Sequence, residues 1–298
     1  MRNLLSASAL FAFCLSLPAQ GQEWVSNGSF TGTLSPWIMG GAFSVNPGLE
    51  VGWDTTGMGA SDSFGVNAGG QTTPSPYPPN TLEQNILVIQ GFTYEFRCDA
   101  SGARPAAPTL ANADIGTLWV EVDNVEIARF AFGNYVPGQT KRAQIVGRFA
   151  PQTTGTVPLR IFFERRFVGG AANPRMNIDN VSVKDVVGPT YWIQGNRPLG
   201  ATQSHAIRGD ANALFGTFVA LGQNPAGVAF PGVTGLWLLD LATTTTLAFG
   251  STDNNGAGLA LLTIPNDPRF LSTPLYFQAG SWASQLKFGY QFGVVCTQ

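Results

Sequence analysis

Charge is scarce in this chain. Of 298 residues only 11% are Asp, Glu, Lys or Arg, against roughly a quarter in an ordinary soluble protein. The 16 basic and 18 acidic residues leave a formal net charge of −2. No strong positive field therefore exists to hold nucleic acid or an anionic membrane by bulk electrostatics. Histidine occurs once, at His205, and cysteine three times. A multi-histidine zinc site and a disulfide-dense scaffold are excluded on those counts. Helical periodicity is nearly absent, and no apolar run reaches the 18 or so residues that a membrane span needs.

What is present points to turns and a core. The chain has 36 glycines and 20 prolines, with 44% hydrophobic and 11% aromatic residues. Arg2, the apolar run Leu4–Leu17, the break at Pro18 and the small residues of Ala19-Gln20-Gly21 read as a secretory signal peptide cleaved before Gln22. The expected location is secreted, extracellular or periplasmic. Cys14 leaves with that peptide, so Cys98 and Cys296 remain. They allow one disulfide bridge, and two buried thiols is the other reading.

The recurring unit is a run of five to nine alternating or continuously apolar residues bounded by turn residues, the pattern of short strands. Strands are expected at Glu23–Ser26, Ala42–Asn46, Asp62–Val66, Thr81–Val88, Thr93–Ala100, Gly116–Val122, Glu126–Phe132, Lys141–Ala150, Val157–Arg166 and Met176–Asp185. Asp123-Asn124 suits a tight hairpin between two of them. Composition shifts near Val187-Gly188-Pro189. Residues 190–298 hold only eight charged side chains, and their strands are expected at Ala201–Ile207, Thr217–Gly222, Gly235–Leu239, Thr245–Phe249, Gly258–Ile264, Thr273–Ala279 and Leu286–Val295. The expected fold class is all-β, a jelly-roll sandwich over 22–187 followed by a smaller β-sandwich over 190–298.

Three stretches carry a family resemblance. They are Asn27-Gly28-Ser29-Phe30 with Leu34-Ser35-Pro36-Trp37, then Leu82-Glu83-Gln84 with Gly91-Phe92-Thr93-Tyr94, then Ile178-Asp179-Asn180-Val181-Ser182-Val183. Residues 24–185 resemble the CenC-type carbohydrate-binding modules, which are galactose-binding-like jelly rolls. The resemblance implies glycan binding and a structural calcium ion near Asp179. Where the family has a glutamate after the first phenylalanine, this chain has Thr31, which removes one carboxylate from that site. Residues 190–298 resemble a small C-terminal β module of planctomycete-type exported proteins, and this implies no activity.

Sugar recognition needs flat apolar surfaces and a few planar polar groups. Trp53 and Tyr77 sit in Gly- and Pro-rich surroundings and are the first candidates; Trp119 lies in an expected strand. Gln84 and Arg165 are candidate hydroxyl partners, and Trp37 reads as core. Catalysis is poorly served. Glu121, Asp123 and Glu164 read as surface carboxylates rather than a glycosidase pair. Ser204, His205 and Asp210 lack a nucleophile elbow. The leading expectation is a secreted non-catalytic carbohydrate-binding protein. A structural or adhesive surface protein and an accessory of a polysaccharide-hydrolysing system are the alternatives.

Overall fold

The computed structural model describes residues 22–41, 47–67, 79–103, 114–134, 138–165, 174–186, 188–194, 199–271 and 273–296. The signal-peptide stretch, the expected strand at 42–46 and Tyr77 lie outside them. The described chain is almost wholly β-structure, with a single 3-10 turn at Pro268–Phe270.

Ten strands build the first sandwich: β1 (Ile38–Gly40), β2 (Gly48–Trp53), β3 (Ser61–Asn67), β4 (Asn80–Val88), β5 (Tyr94–Ala103), β6 (Thr117–Val122), β7 (Val125–Ala131), β8 (Thr140–Phe149), β9 (Gly155–Glu164) and β10 (Arg175–Asp185). They form two antiparallel sheets, β1-β4-β9-β6-β7 and β2-β3-β10-β5-β8. Alternate residues point inward, so Leu82, Leu118, Val120, Leu159 and Ile161 of one sheet meet Phe64, Phe96, Cys98 and Ile178 of the other in one core. Each such apolar side chain contributes about 1.5–3 kcal/mol on burial.

Local chemistry explains the opening and closing motifs. Asn27 has φ 50°, and its side-chain amide donates to the carbonyls of Thr33 and Ser35. That ties a short knot which drops Phe30 fully into the core. Trp37 is buried too, and its indole donates to the Asn27 carbonyl. Gly28 lies so close to β10 that a Cβ there would strike the Val181 carbonyl oxygen, while Val181 N–H donates to Gly28 O at 2.9 Å. The opening segment is thus laid directly on the closing strand. Within β10 the register slips at Asn180, which has φ 51°. The slip leaves Val181 and Val183 facing inward.

The second set comprises β11 (Thr190–Gln194), β12 (Thr202–Arg208), β13 (Leu214–Ala220), β14 (Gln223–Val228), β15 (Trp237–Leu239), β16 (Thr245–Ser251), β17 (Ala257–Thr263), β18 (Leu275–Trp282), β19 (Leu286–Phe288) and β20 (Phe292–Val294). Sheets β11-β12-β17 and β16-β13-β18-β19, with β20 beside β18, enclose a core that includes Tyr191, Ile207, Phe215 and Phe277. The β14-β15 ribbon covers a smaller cluster around Trp237 and Phe288.

The two assemblies meet through charge. Arg97 of β5 donates to Glu95, Gln144 and the Tyr191 carbonyl, and its guanidinium lies 5.1 Å from the Phe292 ring centre. Thr190 donates to the second oxygen of Glu95 and accepts from Arg148.

Several expectations need correction. The Cys98–Cys296 bridge is not formed: both are buried thiols, one in each main core. Glu23–Ser26 contributes only a single bridge, to Lys184. Asp253–Gly256, between the expected strands Thr245–Phe249 and Gly258–Ile264, reads from sequence as a hairpin turn, but β16 pairs with β13 while β17 pairs with β12. It carries the chain between sheets, with Asp253 accepting from the backbone of Asn255 and Ala257. Strands β1, β2, β11 and β14 were not expected. Gly48 and Gly52 punctuate β2, and Pro225 lies within β14, a signal that ordinarily argues against a strand.

Candidate functional site

Tyr77 lies outside the described residues, and the other four sequence candidates, Trp53, Gln84, Trp119 and Arg165, are not brought together. Gln84 faces inward, 5% exposed, and pairs with both backbone groups of Ser26, at 2.7 and 2.8 Å. It clamps the opening segment. Arg165 is 8% exposed, and its Nε donates to Asp114 O at 2.9 Å. It holds the approach to β6. Neither meets the solvent-facing role expected of it.

Trp119 does face outward, on the β1-β4-β9-β6-β7 sheet, yet both faces of its indole are taken. Phe162 stacks on it with ring centres 4.8 Å apart and planes 2° apart. The Arg129 guanidinium lies 4.7 Å from its centre. Those strands neighbour β6 on opposite sides, in the order β9-β6-β7, so the three side chains form a ladder that presents edges to solvent. The indole N–H donates to Glu121 at 3.1 Å. Glu121 is paired with Arg160, four residues before Glu164 on β9. The two glutamate backbones are therefore about 13 Å apart along the strand, beyond the usual carboxylate spacing of a glycosidase.

Trp53 stands elsewhere, on the outer face of the β2-β3-β10-β5-β8 sheet. Residues 53–59 cross this face after β2. The Trp53 indole donates to Ser101 of β5 at 2.8 Å, and Asp54 receives Arg142 of β8 through its carbonyl and carboxylate. Gly52 has φ 77°, a conformation suited to glycine, and it turns the strand end over the sheet. The crossing segment covers a polar surface: Ser63, Ser101, Asn177 and Asp179 are each at most 1% exposed.

Beside the indole lies a connected polar group. Ser101 and Asn177 are cross-strand partners. Asn177 donates to Glu50 at 2.9 Å and to Ser63 at 3.1 Å. Glu50 also receives Arg175 at 2.6 Å. The Asn177 amide oxygen is buried without a hydrogen-bond partner among the described residues. An indole held in place, a carboxylate, a guanidinium and an amide thus sit together at the edge of the crossing segment. Glu50, Arg175 and Asn177 were missed from sequence. Arg175 and Asn177 fall on the polar side of a plain alternation, Arg175-Met176-Asn177-Ile178, which from sequence reads as an ordinary solvated face.

Asp179, the expected calcium ligand, uses both carboxylate oxygens within the protein, accepting from Ser61 Oγ and from Asn180 N, each at 2.6 Å. Thr31 pairs with Ser29. Burial, with Asp99 and Asp62 nearby, raises the Asp179 carboxyl above its ordinary range. No group of three or more His, Cys, Asp or Glu able to hold a metal occurs among the described residues. The donor set does not fit a calcium cage.

The second assembly offers no triad. His205 points into the core, its Nδ1 2.6 Å from the Tyr191 hydroxyl, while Asp210 pairs with Lys287. No helix of the described residues is long and apolar enough to cross a membrane.

No family model matches the chain, and no curated protein matches it. Solved structures give distant likenesses. The tandem CBM22-1-CBM22-2 domains of Paenibacillus barcinonensis Xyn10C share 10% identity at a TM-score of 0.34, over 90% of this chain and 97% of that one. An arabinose-bound MgGH51 α-L-arabinofuranosidase shares 13% at 0.35, over 55% of this chain and 26% of its own. Bacteroides uniformis β-glucuronidase 2 shares 12% at 0.32, over 93% of this chain and 32% of its own. The chain thus spans about a quarter to a third of the two enzymes. Likenesses this weak carry no argument about activity.

Proposed function

We propose that this chain is a secreted, non-catalytic carbohydrate-binding protein that docks glycan on the first sandwich at the Trp53 face. The observation that carries the reading is the Trp53 indole, fixed by Ser101 and flanked by Glu50, Arg175 and Asn177. A partly exposed ring offers a surface for the C–H face of a pyranose. The partly exposed Glu50–Arg175 ion pair offers planar acceptors and donors for its hydroxyls. The resemblance of residues 24–185 to CenC-type modules supports the same reading. The CBM22 and glycosidase neighbours lend it no weight.

Retention on a panel of insoluble polysaccharides and a soluble glycan array tests it. Wild type is expected to bind, with Trp53→Ala losing binding while still melting cooperatively. Because Asp179 does not form a cation cage, a chelator is expected to leave retention unchanged. Folded wild-type protein that binds nothing on either panel refutes the reading.

The adhesive alternative has its own observation. Phe249, Leu259 and Leu261 are 77, 58 and 63% exposed on β16 and β17, which are edge strands of their sheets. Stretches 241–252 and 257–266 contain no charged residue. Uncharged, exposed edges favour pairing with a second copy. Sedimentation showing a monomer at high protein concentration counts against this alternative.

A further inference from the structure

A cleft of about 310 Å³ opens where the two assemblies meet, at the opposite end of β5 and β8 from Trp53. Phe92, Arg148, Asp210, Ser281 and Lys287 line it. Its volume falls at the small end of ordinary ligand pockets.

Its polar groups are donors in excess. Arg148 spends Nε on Thr190 and Nη2 on the Gly188 carbonyl, and its Nη1 has no partner among the described residues. Burial pulls this guanidinium below its ordinary value, so a bound anion would relieve it. Lys287 brings a second positive charge, 2.8 Å from Asp210. Ser281 is 2% exposed, and its hydroxyl makes no hydrogen bond among the described residues. Asp210 is the one acid in the lining, so two cations face one anion and the lining carries a net single positive charge. At the wall Phe92 is 49% exposed, an aromatic ring left open to solvent.

These features select a ligand with one negative charge, several acceptors and an apolar face. A phosphate matches the charge but leaves Phe92 unused. A neutral sugar matches Phe92 but leaves the cationic excess unmet. We propose that the junction cleft binds a single uronic-acid residue, its carboxylate between Arg148 and Lys287, a hydroxyl on Ser281 and its ring against Phe92. This site is independent of the Trp53 face.

Calorimetric titration of the full chain tests the proposal with glucuronate, glucose, acetate and inorganic phosphate as probes. Saturable glucuronate binding is expected, with glucose, acetate and phosphate each about tenfold weaker or worse, the effect of losing one charge-assisted or stacking contact. Lys287→Gln and Phe92→Ala should each weaken glucuronate by about tenfold, with unchanged thermal melts. Trp53→Ala should leave this binding intact, which separates the cleft from the glycan-docking reading. Three results overturn the proposal. One is no glucuronate binding at millimolar concentration. Another is glucose, acetate or phosphate binding as well as glucuronate. The third is undiminished binding in folded Lys287→Gln or Phe92→Ala.

Discussion

His205 makes the stability of the second assembly depend on mild acid. It is 1% exposed, and burial pulls its imidazole down to about 4 from an ordinary 6.5. The neutral ring shares a hydrogen bond with the Tyr191 hydroxyl at Nδ1, which accepts from it with the ring proton on Nε2, while Nε2 is buried without a partner. Protonation would turn Nδ1 from acceptor to donor and place a charge beside Phe277. The folded pKa lies below the unfolded one, so between them the unfolded chain binds the extra proton. Stability is therefore present above about pH 6.5 and falls as pH drops toward 4, by about 2 kcal/mol between pH 7 and pH 5. Asp179 acts in the opposite sense, since its raised carboxyl pKa adds stability on acidification. A variant comparison cancels it. His205→Gln keeps an acceptor for Tyr191 and cannot titrate. Urea unfolding, followed by fluorescence at both pH values, should show wild type losing about 2 kcal/mol more than His205→Gln. Equal pH slopes for the two proteins would refute the reasoning.

Other consequences follow from the packing. Arg97→Met strips the buried Glu95 of its cation and should destabilise the protein by about 3–5 kcal/mol, with unfolding splitting into two separate transitions by calorimetry. Gly28→Ala forces a methyl against the Val181 carbonyl and should cost about 1–3 kcal/mol in chemical denaturation. Trp119→Ala breaks the Phe162–Trp119–Arg129 ladder and should cost about 3 kcal/mol while leaving glycan retention intact. A reductant should leave the thermal midpoint unmoved, because Cys98 and Cys296 do not form a bridge; a fall of several degrees would contradict the separate burial of the two sulfurs.

Where a strand alternates cleanly, its place could be read from the residues alone. Gln84 shows the limit: β4 alternates over Asn80–Val88, which marks Gln84 as inward-facing, and only the three-dimensional closure on Ser26 explains why an amide belongs there. The Asp123-Asn124 hairpin was legible because both positions need positive φ, and both have it, at 50° and 63°. Trp119 misled because an indole in a strand announces its size but not which neighbours lie on its faces. Glu50, Arg175 and Asn177 come from strands 125 or more residues apart. No local pattern reports a meeting of that kind.

Both proposed sites can be traced to how one sheet is covered. An outer face of a β-sandwich ordinarily leaves its polar side chains to water. On the β2-β3-β10-β5-β8 sheet, residues 53–59 and the second assembly lie over that face, and its Asn, Ser, Asp and Arg side chains bond to one another instead. Buried polar groups that satisfy each other have little left for a ligand. Capacity for a ligand remains at the margins of the cover. One margin holds the partly exposed Glu50–Arg175 pair near the Trp53 ring, and the other holds Ser281 and Arg148 Nη1 in the junction cleft. Ligand recognition at these margins depends on the cover staying in place. Arg97→Met, which loosens the junction, should therefore weaken the cleft before it affects the Trp53 face.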